Sequence, residues 1–246
     1  ADTVSPAFVA DLEGIYVARL IVNDGLFDSE PDDVNIVAEG ELPPLDPPVP
    51  TPVDPTVPTS FSSVTQFLYT GPNPVQTGMS PDAIEPAHAA VLRGVVKESE
   101  GAPLGNVVIT ILNHPEFGQT RSREDGMFDM VVNGGGPLTI NYSKDGYLNA
   151  QRQIVVPWQD YVWLPEVMMT SLDDEVTNVD LDTAEMQVVR GSVVSDDDGT
   201  RQATLLIPSG TSAEMVLADG RRESISNLSI RATEYSVGPE GPQRMP

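Results

Sequence analysis

Residues 92–147 alternate between short apolar runs and glycine-bearing turns, and this pattern constrains the fold more than any other part of the chain. Apolar and polar residues alternate over 138–142, which is the period of a strand with one buried face. The same period recurs at 107–111 and at 128–132. Turn signals such as the Asp-Gly pair at 125–126 separate these runs by roughly 8–12 residues, as a β-sandwich requires. The sequence therefore predicts an all-β chain of tandem small β-sandwiches joined by Pro-rich linkers.

Glycines mark the turns of this central module. The pattern G-x-V at 94–96, G-x-P-L at 101–104, D-G-x-F at 125–128 and G-Y at 146–147 resembles the carboxypeptidase regulatory-like, or transthyretin-like, domain. Each of these glycines suits a turn that needs positive φ or a close approach of two strands. The resemblance implies a seven-stranded β-sandwich, which we place at residues 91–172.

The first 39 residues hold a strand pattern at 14–22 and an Asn-Asp-Gly turn signal at 23–25. They resemble the last strands of PKD-like modules, which have an immunoglobulin-like fold. About half of such a module is present over 1–39, and two or three strands cannot enclose a core. We expect these residues to dock on a neighbour, to pair with another chain, or to be a remnant of a longer protein.

Residues 40–60 carry eight prolines between Pro43 and Pro58, which predicts an extended linker. This linker is either a semi-rigid spacer or a strap that lies on a large partner surface. Residues 61–90 contain apolar side chains without a clear period, and we interpret them as an irregular anchor segment. Its apolar part, 61–69, is either a short helix or an irregular apolar contact.

Residues 173–246 form an acidic connector followed by a plug-like β segment. The runs R-G-S at 190–192, D-G-T-R-Q-A-T-L-L-I-P at 198–208 and R-A-T-E-Y at 231–235 are similar to the region after the transthyretin-like module in RHS/YD-repeat proteins, bacterial relatives of teneurins. In that family these modules close or brace a β-propeller or YD-repeat shell, which can hold a toxin. The resemblance implies, as partner, a downstream shell of the same protein or of a second chain. The chain itself contains no YD-repeat.

Charge narrows the classes of partner. The chain has 13 basic and 37 acidic residues, a net charge of −24, which repels nucleic acid and anionic membranes. No apolar run approaches the ~20 residues that span a bilayer, so we expect no membrane insertion. The absence of cysteine excludes disulfides and thiolate chemistry, and it is ordinary in bacterial secreted or surface proteins. We expect the protein to be secreted or to lie on the surface of a bacterial cell. We also expect that the chain begins at Ala1 because it has been processed or excerpted.

The sequence predicts no enzyme and no cofactor. The two histidines, His88 and His114, are too few for a zinc site without carboxylates, and neither has an evident nucleophile beside it. Asp196, Asp197 and Asp198 precede a glycine and are the best candidates for calcium ligands, although they lack the alternating spacing of an EF-hand. The alternative is an exposed acidic turn. The run 133–136, Asn-Gly-Gly-Gly, lacks the features of a phosphate loop and is interpreted as a hairpin turn.

Trp158, Tyr161 and Trp163 are the candidate binding residues, because they could form a platform on which sugars stack. The alternative is that they pack in the core or between domains, as their apolar neighbours Val162 and Leu164 suggest. Taken together, the sequence favours a non-catalytic scaffold or plug at the amino-terminal side of an RHS-like shell. Two alternatives stay open: an adhesion array that binds carbohydrate or protein, with or without calcium, and a strand-exchanging filament or shell subunit.

Overall fold

The structure is a computed structural model, and the residues it describes are 14–20, 32–38, 56, 59–196, 199–217, 220–234 and 243. The prediction of an all-β chain is confirmed. Among the described residues, the longest α-helix is α1 (Phe61–Thr65), which has five residues. The strands are β1 (Gly14–Leu20), β2 (Asp32–Ala38), β3 (Gln76–Thr77), β4 (Ala89–Glu98), β5 (Val108–Ile111), β6 (Gln119–Arg121), β7 (Met127–Asn133), β8 (Gly136–Ser143), β9 (Ala150–Val156), β10 (Tyr161–Trp163), β11 (Val167–Met169), β12 (Thr177–Asp180), β13 (Gln187–Asp196), β14 (Gly199–Ile207), β15 (Ala213–Val216), β16 (Arg222–Ile225) and β17 (Asn227–Ile230).

Two sheets form the central sandwich. The first sheet is built around β4, which pairs antiparallel with β7 on one side and parallel with β10 and then β11 on the other. The second sheet has the order β3-β6-β5-β8-β9, all antiparallel. The two sheets contain 9 strands where the resemblance implied seven. One extra strand arises because β10 and β11 pair with successive parts of the same edge of β4. The other is the two-residue β3, which is added beside β6 at the end of the second sheet.

The core lies between these two sheets, and the predicted strand periods are confirmed. Leu138, Ile140 and Tyr142 of β8 face inward, and Phe128 of β7 meets Tyr142 in an edge-to-face contact with ring centroids 5.8 Å apart. Such a pair adds to the stability that burial alone provides. The other inward residues from the predicted periods are Val107, Ile109, Ile111, Met130 and Val132.

The sandwich begins before residue 91, the predicted start of the module. Strand β4 starts at Ala89, and β3 already lies in the second sheet. Gln76 of β3 explains why the earlier segment is needed. Its buried side-chain amide donates to the carbonyls of Phe117 and Val131 at 2.7 and 2.9 Å, and its Oε1 accepts from the Val131 N–H at 2.7 Å. These bonds satisfy main-chain groups that would otherwise be buried unpaired at the edge of β7.

The segment from Phe61 to Val75 lies on the outer face of the first sheet. Ser60 caps α1 by accepting from the Ser63 N–H, and a 3₁₀ turn over Gln66–Leu68 follows the helix. Leu68 and Val75 are buried against Val91 and Val131, which point away from the main core. The anchor segment is therefore a short helix that covers part of this outer face with apolar side chains.

The run Asn133-Gly134-Gly135-Gly136 is not a hairpin turn, so that interpretation was wrong. It joins β7 of the first sheet to β8 of the second, and these two strands do not pair with each other. A Cβ added at Gly134 would lie 2.0 Å from the Pro157 carbonyl oxygen. The glycines are required because the crossover passes directly against the backbone that follows β9.

The carboxyl-terminal strands pair two by two. Strand β12 pairs with β17, β13 with β14, and β15 with β16, each as a separate antiparallel two-stranded sheet. We call these six strands the ribbons. Asp173, at the start of this region, accepts from the Ser192 N–H and hydroxyl at 2.8 Å and from the Glu175 N–H at 2.8 Å. These bonds attach β13 to the segment that leaves the sandwich.

The amino-terminal strands form a hairpin by themselves, since β1 pairs antiparallel with β2 from Gly14↔Ala38 to Leu20↔Asp32. The strand predicted over 14–22 is present over 14–20, and the PKD-like assignment stays a prediction. The predicted turn at 23–25 and most of the linker at 40–60 lie outside the described residues. In the part of the chain that the structure covers, no helix has the length and apolarity of a membrane span.

Candidate functional site

Three large aromatic side chains are exposed at one edge of the first sheet. Trp158, Tyr161 and Trp163 have 58%, 43% and 61% of their surface exposed. Because β-strand side chains alternate, Val162 turns into the core while Tyr161 and Trp163 share the outer face. Packing of these rings in the core of the sandwich is therefore wrong, whereas packing between domains stays a prediction. The aromatic surface, as we call it, consists of these three residues and Arg93.

Arg93 lies between two of the rings. Its guanidinium carbon is 5.3 Å from the centroid of the Tyr161 ring and 5.8 Å from that of Trp163, distances at which a cation is attracted to the ring face. The Phe61 ring also makes an edge contact with Tyr161, with ring centroids 5.1 Å apart. The anchor segment therefore begins against the same surface.

A buried carboxylate holds Arg93 in place. Asp129, on the neighbouring strand β7, accepts a hydrogen bond from Arg93 Nε, and its side chain is 3% exposed. Its second oxygen accepts from Arg123 Nη1 at 3.1 Å. A buried carboxylate needs such partners because desolvation of an unpaired charge is costly. The pair fixes the guanidinium plane between the two rings before any ligand arrives.

Trp158 has its own support. His88 stacks on its indole, with centroids 4.7 Å apart and planes at 26°, and His88 Nδ1 lies 2.8 Å from a carboxylate oxygen of Glu85. Gly135, at φ +107°, lies directly beneath the ring, because a Cβ there would be 2.2 Å from the indole Nε1. The glycine run thus makes room for the exposed tryptophan.

The main-chain edge beside these rings is blocked. Strand β10 has three residues, and prolines at 157 and 165 flank it. The N–H of Tyr161 already donates to the side chain of Asp160 at 2.8 Å. Short length and flanking prolines are the devices by which edge strands avoid pairing with another chain. The side chains, rather than the backbone, are what this edge offers to a ligand.

Of the three predicted calcium ligands, the structure describes the main chain of one. Asp196 ends β13 and pairs with Gly199, while Asp197 and Asp198 lie outside the described residues. Among residues that the structure describes, no three histidine, aspartate or glutamate side chains are grouped so that they could hold a metal ion. Calcium binding at 196–198 stays a prediction.

The two histidines lie apart, each with its own acidic neighbour. His114 Nδ1 is 2.8 Å from Glu116 Oε1, and this hydrogen bond lowers the pKa of the Glu116 carboxyl. The imidazole also stacks on Phe117 with centroids 5.5 Å apart. His114 therefore packs on the short 3₁₀ turn over Pro115–Phe117, and His88 stacks on Trp158.

Three of the six ribbon strands, β13, β14 and β15, carry exposed large apolar side chains. In the described part of 173–234, the buried large apolar residues are Val179 and Val189. Apolar side chains that a two-stranded sheet leaves uncovered are suited to contact with a further layer. The exposed large apolar residues of 173–234 are Val176, Met186, Val188, Val193, Leu205, Leu206, Met215 and Val216.

Sequence reasoning found the aromatic residues but missed Arg93, Asp129 and Gln76. The sequence does contain a signal, because Arg93 and Asp129 each interrupt an otherwise apolar strand. In the structure these two residues are paired across β4 and β7. A charged residue at the centre of each of two neighbouring strands indicates an ion pair, but only if the pairing of the strands is known.

The comparisons with known proteins agree with this fold. Residues 84–169, about a third of the chain, match the sequence model of a family described as "Teneurin TTR-like domain". This segment is teneurin-like. The matched domain is non-catalytic, as predicted for this part of the chain. The match starts at residue 84 and therefore also extends before the predicted start of the module.

Curated relatives cover more of the chain. Teneurin-4 of Mus musculus is 31% identical over 151 residues, which is 61% of this chain and 5% of the relative. Teneurin-4 of Homo sapiens is 35% identical over 94 residues, or 38% of this chain and 3% of that protein. The chain thus spans a small fraction of the length of the curated relatives it matches.

Solved structures overlap with the chain only weakly. The 3-chlorocatechol 1,2-dioxygenase from Rhodococcus opacus 1CP aligns with a TM-score of 0.30 and 13% identity, over 38% of this chain and 63% of that one. An overlap of this size does not indicate a shared overall fold.

Proposed function

We propose that this chain is a non-catalytic structural segment of a longer secreted or cell-surface protein. In this proposal the sandwich braces, and the ribbons plug, a β-rich shell formed by the polypeptide that follows. The shell is of the RHS/YD-repeat kind that the resemblance implies. In its most specific form, the proposal assigns the protein to a bacterium and to a toxin-delivery context. The chemistry of the whole protein, if any, belongs to regions beyond residue 246.

One observation carries the proposal, namely the apolar side chains that the ribbons expose. Leu205 and Leu206 are 46% and 54% exposed and point to opposite faces of the β13-β14 pair, and Val193, which is paired with Gln202, is 60% exposed. A two-stranded sheet is marginally stable in water by itself and needs a further layer on its apolar side chains. The described residues bury Val179 and Val189 in this region, so the exposed apolar side chains are suited to a surface from outside this segment.

One further fact supports the proposal. The curated teneurins are many times longer than this chain, which matches 5% of mouse teneurin-4. A segment of a much longer relative is expected to pack against other parts of that protein.

The test compares the ribbons alone and in the parent protein by hydrogen exchange. We expect amides of β13 and β14 to exchange quickly in the 246-residue chain and much more slowly when the following polypeptide is attached or added. A variant with Val193→Ser, Leu205→Ser and Leu206→Ser should lose this protection.

The matched control is Val155→Ser, because Val155 is 70% exposed but lies on the sandwich. Equal exchange with and without the following polypeptide would contradict the plug. Self-association of the isolated chain in light scattering, abolished by the triple variant, would favour the filament or shell-subunit alternative instead.

The aromatic surface favours a second candidate function, the recognition of an extracellular ligand by an adhesion-type domain. The observation is that Trp158, Tyr161 and Trp163 are exposed and supported by fixed partners rather than packed in the core. Binding that is lost on Trp163→Ala while the melting temperature is unchanged would support it. A melting temperature that rises with calcium would support the calcium-assisted form.

A further inference from the structure

We propose that the aromatic surface binds a neutral oligosaccharide of hexopyranose units, with one sugar ring stacked on Trp163 and Tyr161 beside Arg93. The inference rests on the second proposed function, ligand recognition through this surface, and names the ligand class. Three features of the described residues carry it: the geometry of the rings, the blocked strand edge, and the balance of charge.

The geometry suits a ligand that is apolar on its faces and polar around its rim. Tyr161 and Trp163 are two residues apart on one face of β10, so their side chains are separated by about 7 Å along the strand, close to the size of one sugar ring. A pyranose presents C–H groups on its faces and hydroxyls at its edge. The faces can lie on the aromatic rings, while the hydroxyls reach Arg93 between them.

Arg93 is held as a fixed hydrogen-bond donor. Its Nε donates to Asp129, whose side chain is 3% exposed, so the position of the guanidinium is set from beneath the surface. The side chain of Arg93 is itself 33% exposed. A preorganised donor between two rings lowers the entropy that binding would otherwise cost.

The blocked edge argues against a peptide ligand. An extended peptide gains most of its affinity from main-chain hydrogen bonds to a free strand edge. Here β10 has three residues, prolines stand at 157 and 165, and the Tyr161 N–H is already bound to Asp160. A sugar requires none of these main-chain groups, because it uses the ring faces and side-chain donors.

Charge selects a neutral rather than an acidic glycan. The positive charges of Arg93 and Arg123 are matched by Asp129 and Asp125. Two further carboxylates lie nearby: Asp160 accepts from the Tyr161 N–H, and Glu85 contacts the His88 that stacks on Trp158. The chain as a whole has a net charge of −24. An anionic glycan would meet repulsion on approach, whereas a neutral one would not.

The experiment is calorimetric titration of the full 246-residue chain with four neutral hexasaccharides, namely cello-, malto-, manno- and chitohexaose, and with hexagalacturonate. Quenching of tryptophan fluorescence gives a second readout, because the two tryptophans of the chain are Trp158 and Trp163. We expect at least one neutral probe to bind, with a Kd on the order of 0.1–1 mM. Trp163→Ala should weaken that binding about tenfold or more, and Trp158→Ala less.

The matched control is Val155→Ala, an exposed apolar residue of β9 away from the surface, which should bind like the original chain. All variants are checked by circular dichroism, so that loss of binding is not confused with loss of fold. Binding of hexagalacturonate as tightly as the neutral probes, or neutral binding that survives Trp163→Ala, would overturn the inference.

A second arm separates this inference from the recognition function on which it rests. If no neutral probe binds but a peptide with the sequence of residues 43–58 does, and Trp163→Ala removes that binding, the surface is a recognition site for proline-rich peptide and the sugar class is wrong. If neither the probes nor the peptide bind, both the recognition function and the sugar inference are overturned.

Discussion

The sandwich and the ribbons are built from similar sequences but reach different degrees of burial. Strand β8 of the sandwich alternates buried and partly exposed residues along its length, whereas β14 of the ribbons has no fully buried residue. Both strands are rich in β-branched and apolar residues and both follow clear turns. What differs is the second layer, since β8 faces another sheet and β14 pairs with β13 alone.

This difference shows that the hydrophobic period of a strand indicates which side chains need cover, but not whether the same segment supplies that cover. The hydrophobic period of β8 is satisfied within the chain, because β4 and β7 cover its inner face. In β13 and β14, Val189 is buried, whereas Val188, Val193, Leu205 and Leu206 are exposed in the described chain. Exposed apolar side chains of this kind are typical of a surface that contacts a partner. The scaffold proposal therefore rests on the ribbons and not on the sandwich.

The largest expected effect is the difference in free energy of unfolding between a substitution in the core and one in the ribbons, both at large apolar residues. Phe128→Ala, at 1% exposure, should lower the free energy of unfolding by about 3–5 kcal/mol, because it leaves a cavity against Tyr142. Leu206→Ala, at 54% exposure, should change it by less than about 0.5 kcal/mol. Urea unfolding followed by circular dichroism measures both. Similar losses for the two variants would mean that the ribbons pack as tightly as the sandwich.

The next effect concerns charge rather than volume. Asp129→Asn should cost about 3 kcal/mol of stability, because it leaves Arg93 and Arg123 without their shared buried carboxylate. Glu166→Gln is the control, since Glu166 pairs with Lys97 but is 47% exposed, and its loss should cost less than about 1 kcal/mol. The unfolding midpoint in urea gives both values. Equal costs would show that the Asp129 cluster is solvated rather than buried.

A third effect tests the crossover between the two sheets. Gly134→Ala should lower stability by about 2 kcal/mol, because its Cβ would meet the Pro157 carbonyl oxygen at 2.0 Å. Gly136→Ala, two residues later, has open space around the added atom and should change stability by less than about 0.5 kcal/mol. Thermal melting compares the two variants directly. If both melt like the original chain, the crossover is not packed against the strand end as described.

The smallest effect concerns the ribbons and is expected only in acid. Hydrogen bonds from the N–H groups of Glu175 and Ser192, and from the Ser192 hydroxyl, lower the pKa of Asp173. A carboxyl whose pKa is lowered by folding stabilises the folded state above its ordinary pKa, and this contribution is lost as the pH falls through the lowered value. We therefore expect β13 amides to exchange faster below about pH 4.

Asp173→Asn should remove that pH dependence and make β13 exchange faster at neutral pH as well. Asp174→Asn is the neighbouring control and should leave exchange in β13 unchanged at both pH values. Hydrogen exchange followed by mass spectrometry at pH 3.5 and pH 6.5 distinguishes them, after correction for intrinsic rates. A β13 segment that is equally protected at both pH values would show that Asp173 does not hold the ribbon.

Much of the fold could be predicted from local pattern alone. The alternation over 138–142 predicted a half-buried strand, and Leu138, Ile140 and Tyr142 are buried as expected. Turn residues such as Gly126, at φ +77°, stand where positive φ is needed. These features depend on residues that are close together in the sequence, so they can be predicted from a single sequence.

The candidate site was less predictable, because its parts come from distant positions. Trp158, Tyr161 and Trp163 were recognised as a group, but their sequence environment suggested packing as readily as exposure. Whether they are buried depends on the register of β10 against β4 and on the glycine at 135 beneath Trp158. The glycine run was misinterpreted as a hairpin for the same reason, since the sheet to which each strand belongs is not a local property.

Composition, turn chemistry and strand period are local properties, and they were enough to predict an acidic, cysteine-free, all-β chain; the family resemblance predicted the transthyretin-like module at its centre. Three features followed only from the packing of the strands: Gln76 satisfies main-chain groups at the edge of β7, Asp129 holds Arg93 near two exposed rings, and the ribbons lack a second layer in the described chain. Each of these depends on which strands become neighbours, and strand pairing is chosen by burial over the whole molecule rather than by any one segment.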